Sequence, residues 1–86
     1  MEQERRNYKF AEQGRPDSVV HTTMERAIEI ARDRVLNRRT EVVLSAECPV
    51  DSGRFIRLGT HVYLPERDGE RFILSIPKIP KNIIEL

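Results

Sequence analysis

Between Thr22 and Ala46 the chain changes its hydrophobic period once, and that change sets the architecture. Met24, Ala27, Ile28, Ala31 and Val35 recur every three or four residues, which gathers them onto one stripe of a helix. Glu25, Arg26, Glu29, Asp33 and Asn37 fall on the other side. Thr22-Thr23-Met24-Glu25 fits a capping box, in which the Thr22 hydroxyl accepts the third amide and the Glu25 carboxylate reaches back toward the positive end of the dipole. The spacing therefore predicts a helix from Thr22 to about Arg38, with Arg38 and Arg39 suited to the carbonyl-rich terminus. From Glu41 to Ala46 the period falls to two and the residues become β-branched, which predicts a strand.

The same alternation marks the flanks. Tyr8 and Phe10 alternate with Asn7, Lys9 and Ala11, and a turn over residues 13–17 with Gly14 and Pro16 leads to a short strand over 18–21. Pro49, Asp51, Ser52 and Gly53 predict a loop. Residues 54–64 are strand-like, with Gly59 as a bulge or bend dividing them into 54–58 and 60–64. Pro65 to Gly69 predicts a turn, and residues 70–76 a return strand. The order is ββαββββ, an α+β fold in a single small domain. One helix packs on a mostly antiparallel sheet, with a bend at Gly59 able to curl that sheet toward a partial barrel. Residues 1–6 are expected to form a flexible N-terminus, 7–76 the domain, and 77–86 an extended tail started by Pro77 and Pro80.

One helix covers one face of a sheet, so the minority apolar residue of each strand matters. Val43, Phe55, Tyr63 and Ile73 are predicted to form a stripe on the neglected face, hidden either by curling or by a partner. The C-terminal segment adds Ile79, Ile83, Ile84 and Leu86, too apolar for an idle terminus. Val43, Phe55, Tyr63, Ile73, Ile79 and Ile83 are the expected partner-binding residues.

Composition narrows the chemistry without naming it. A chain of 86 residues has room for one domain, and its 38% hydrophobic and 34% charged residues fit a globular one. A single cysteine forms no internal disulfide and points to a reducing compartment, so a cytoplasmic location is expected. The mixed charges of residues 1–6 fit neither a signal peptide nor a membrane anchor, and no stretch is apolar enough to span a bilayer. The net charge of +1 predicts no general affinity for anions, yet twelve of the fifteen cations are arginine. Arg34, Arg38, Arg39, Arg54 and Arg57 are the candidates for an anion or nucleic-acid surface, although Asp33 and Glu29 interrupt them.

Cys48, His21 and His61 lack metal-ligand spacing and suggest no nucleophile pair, so no metal, cofactor or catalytic residue is expected. The reading is a small non-enzymatic interaction or regulatory module, homodimeric, which binds a protein through its sheet face and C-terminal tail. The alternatives are a nucleic-acid or anionic-ligand binder using the arginines, and an accessory inhibitor of a host machine from a phage or mobile element.

Overall fold

The computed structural model describes residues 4–74. Five strands form one antiparallel sheet: β1 (Arg5–Glu12), β2 (Ser18–Thr23), β3 (Val42–Cys48), β4 (Asp51–Leu64) and β5 (Gly69–Leu74), in the order β2-β1-β3-β4-β5. A helix, α1 (Met24–Arg38), lies on one face, and a single 3-10 turn, Pro65–Arg67, joins β4 to β5. The sheet is open. The curl toward a barrel does not occur, because β2 and β5 are its two edges and do not pair with each other.

α1 begins directly where the β1–β2 ladder ends. Thr22 and Thr23 both remain paired, with Arg6 and Arg5, so the cap is Thr23, one residue later than the capping-box pattern places it. Its Oγ1 accepts the Arg26 amide at 3.2 Å, which satisfies one of the orphan donors of the first turn. The helix ends at Arg38, as the pattern predicts. Arg39 caps it in the left-handed region at φ 53°, donating its amide to the Val35 carbonyl at 2.7 Å.

The core lies between α1 and the middle of the sheet. Ala27 and Ala31 are fully buried, and their small side chains let the helix settle closely over Tyr8 and Phe10 of β1 and Leu44 of β3. Val35, Val42 and Ala46 complete the buried apolar set. Met24 and Ile28 share the predicted stripe but remain 42% and 37% exposed.

Residues 54–58 and 60–64 belong to a single strand that carries the expected bulge. The register with β3 shifts between Leu44, opposite Gly59, and Ser45, opposite Arg57, which leaves Leu58 as the extra residue. The glycine is required by crowding: a Cβ on Gly59 would stand 2.5 Å from Phe72 Cζ and 2.6 Å from the Ile73 carbonyl oxygen. Because of the extra residue, Ile56 faces the helix side along with Gly59, and Phe55 faces away.

Candidate docking groove

The two halves of α1 are held to the sheet differently. Along its C-terminal half, arginines reach down to both edges. On the β1–β2 side Arg38 donates to the Glu12 carboxylate at 2.5 Å, Arg34 lies 4.0 Å from the same carboxylate, and the Thr40 hydroxyl donates to it at 3.4 Å. Arg34 also donates to the Ser18 hydroxyl at 2.7 Å and lies over the Phe10 ring. On the β4–β5 side Arg39 donates to the Tyr63 hydroxyl at 3.0 Å, and Arg32 lies 3.7 Å from Glu70. These ties come from residues whose side chains are long enough to span the helix–sheet gap.

The N-terminal half of α1 faces β4 and β5 across an apolar groove of about 200 Å³. It is lined by Met24, Ile28, Leu44, Leu58, Phe72 and Leu74. The lining is aliphatic, aromatic and thioether throughout, and Leu74 is 62% exposed. Ile56, on the same side of the sheet, is 50% exposed. A wider hollow adjoins it at Met24 and Ile28, with Glu4, Arg6, Tyr8 and Glu25 in its wall. There Arg6 holds the Glu4 carboxyl below its usual range by hydrogen bond and charge, and burial pushes the Tyr8 hydroxyl up.

Beside the groove β4 has a bare edge. β5 pairs with residues 59–64 only, from Gly59 opposite Leu74 to Leu64 opposite Gly69. Residues 51–58 therefore have β3 on one side and, among the described residues, no strand on the other. An unpaired edge next to exposed aliphatic side chains is the arrangement that accepts an added segment of chain.

The sequence-predicted stripe does not assemble. Val43, opposite Thr60, and Ile73, also opposite Thr60, lie two strands apart on the face away from α1. Phe55 reaches that face through the bulge, but it pairs with Glu47, away from the other two, and the Lys9 ammonium lies 5.0 Å from its ring. Tyr63 is on the opposite face: it pairs with Glu70, packs against the core and donates to Asp68 at 2.5 Å. The open face is mixed rather than greasy, since Asn7, Lys9, Ser45, Glu47 and Arg57 occupy its middle. Ile79 and Ile83 lie outside the described residues.

Nor do the five arginines converge. Arg34 and Arg38 close on Glu12, Arg39 on Tyr63 and Asp68, Arg57 on the Thr60 hydroxyl at 2.8 Å, and Arg54 lies 4.0 Å from Asp51. Among the described residues no group of three or more His, Cys, Asp or Glu side chains could hold a metal ion, and no helix is long and apolar enough to cross a membrane.

Sequence reasoning passed over the groove because Met24, Ile28, Leu58 and Leu74 all fit the core-facing period; the missing information is how far one helix reaches across five strands. Glu12 was equally silent, a carboxylate at the end of a strand whose partners lie 26 and 28 residues on. Comparison with protein-family models, with curated proteins and with solved structures returns no match to this chain.

Proposed function

We propose that this chain is a small protein-binding module with no reaction of its own, which takes an extended apolar segment of a partner against the groove and the bare edge of β4. The observation that carries the reading is the juxtaposition of the two: eight strand residues, 51–58, with no outer strand among the described residues, and an all-apolar hollow that meets them at Leu58. Main-chain hydrogen bonds to the edge would supply affinity, and aliphatic side chains entering between Ile28, Leu58 and Leu74 would supply selection. Each half-exposed side chain covered in this way contributes on the order of 1 kcal/mol.

The open face supports this role less well than the groove. Its polar centre is already tied internally, by Asn7 to Glu47 at 3.2 Å and by Arg57 to Thr60, and its exposed aliphatic residues Val19 and Ile73 stand on opposite edge strands. A homodimer that buries this face would have to cover that polar centre between its separated aliphatic residues, whereas Met24, Ile28 and Leu74 line one hollow.

Selection from a random dodecapeptide library tests the reading. The bait is the full-length chain carrying Ile83→Asp and Ile84→Asp, so that its own apolar terminus does not answer for the ligand. Enriched peptides are expected to be rich in Ile, Leu and Val, to shift the methyl resonances of Met24, Ile28, Leu58 and Leu74, and to lose binding on Leu74→Asp. Peptides that instead map to Val43 and Ile73, or a library that yields no enrichment, would overturn it.

A further inference from the structure

The groove has a candidate ligand within the chain. We infer, on the reading that the groove takes extended apolar segments, that its resident occupant is residues 75–86 of the same molecule, so that a partner binds by displacing them.

The first ground is direction. β5 runs antiparallel to β4, so that advancing from Gly69 to Leu74 carries the chain from Leu64 back to Gly59. Leu74 lines the groove, and the next positions along this course are those of Leu58 and Ile56, which border the bare edge. The segment is delivered to the site by the strand that precedes it.

The second ground is length and composition. Twelve residues follow Leu74, a reach of up to about 40 Å, several times the roughly 10 Å that separates a helix from a strand packed beside it. Five of the twelve, Ile76, Ile79, Ile83, Ile84 and Leu86, are branched aliphatics that match a groove lined by Met, Ile, Leu and Phe.

The third ground is the position of the prolines. Pro77 and Pro80 differ in strand parity, so a regular β5 continued through both would turn one of the two missing N–H groups toward β4. The sequence therefore opposes a simple prolongation of the ladder and favours side-chain docking into the hollow inside it. Both prolines also lower the ordering entropy that docking must overcome. Attachment beside the site gives the segment a millimolar effective concentration, against which a free partner must compete.

Methyl-labelled full-length chain tests this directly. Nuclear Overhauser contacts are expected from Ile79, Ile83 or Ile84 to Met24, Ile28 or Leu58, unchanged on dilution. Ile83→Asp with Ile84→Asp should abolish them and raise the affinity for a library-selected peptide about tenfold over the unaltered chain. Ile79→Ser with Ile83→Ser is the milder variant should the acidic pair disturb folding. Equal peptide affinity in altered and unaltered chains would dismiss the internal occupant while leaving the groove as a binding site. Contacts seen only between differently labelled molecules would make the occupant a second copy and overturn the inference. Selected peptides that bind both chains but leave the methyl resonances of Met24, Ile28, Leu58 and Leu74 unmoved would remove the groove reading itself.

Discussion

His61 Nδ1 lies 2.7 Å from Glu70 Oε2, and the imidazole between them and the core is wholly shut off from solvent. With Nδ1 donating to the carboxylate, Nε2 is an acceptor with no partner among the described residues. The Phe72 ring stands 4.5 Å away, and Arg32 approaches the same carboxylate from the helix at 3.7 Å. Glu70→Ala strips the ring of the one hydrogen-bond partner it has among the described residues and is expected to cost about 2–3 kcal/mol in urea unfolding. His61→Phe removes both nitrogens while keeping the ring, and is expected to cost less than about 1.5 kcal/mol. The reverse ranking would mean that the ring is held by something other than Glu70.

Glu12 should behave as the hinge pin of the other side of the helix. Its side chain is 4% exposed and accepts from Arg38 and Thr40, so Glu12→Ala leaves a guanidinium and a hydroxyl without their acceptor. A loss of about 1–3 kcal/mol is expected, with a coupling of about 1–2 kcal/mol in a double-mutant cycle with Arg38→Ala. Additive losses would show that the pair is only a neighbourhood.

Gly59 admits no side chain. Gly59→Ala drives a Cβ onto Phe72 and onto the rigid Ile73 carbonyl, so a loss of about 2–3 kcal/mol and a lowered melting temperature are expected. Phe72→Leu in the same chain should recover only part of this, since the carbonyl remains in place.

Tyr8 ties stability to alkaline pH. Burial raises its hydroxyl above the ordinary tyrosine value, so the folded state holds the proton more tightly than the unfolded chain. Its contribution is intact below the unfolded pKa of about 10 and is lost as pH rises from there through the folded value. Denaturant midpoints should fall above pH 10, and the slope of that fall should flatten in Tyr8→Phe.

Charges at two aliphatic positions separate the two faces. Ile73→Asp, on the open face, should leave ligand binding within about twofold, whereas Ile28→Asp in the groove should abolish it; both positions are at least 37% exposed, so surface-sized losses of stability are expected.

The parts of the fold written in local period were legible. The helix stripe follows from residue spacing, the turn from the backbone freedom of Gly14 at φ 80°, and a glycine inside a strand-like run marks the bulge beside position 59. What failed is parity across that bulge. Counting by twos from Tyr63 puts Phe55 on the same face, but Leu58 takes an extra place and sends Phe55 to the face of Val43 and Ile73, which leaves Tyr63 alone on the helix side and breaks the stripe of four. The arginines misled for a related reason: adjacent in sequence, Arg38 and Arg39 reach to opposite edges of the sheet, one to Glu12 and the other to Tyr63. Long-range pairing decides both outcomes, and no window along the chain contains it.

The strand order also constrains how the molecule assembles itself. β1 is the first strand in the chain, yet its inner neighbour β3 arrives only after the helix, with Tyr8 opposite Ala46 and Phe10 opposite Leu44. The β1–β2 hairpin and α1 can form early from neighbouring residues, but Tyr8 and Phe10 stay wet on one flank until more than thirty further residues have been made. Closing that long loop is the entropically expensive event, which makes the meeting of β1 with β3 the expected rate-limiting step of refolding.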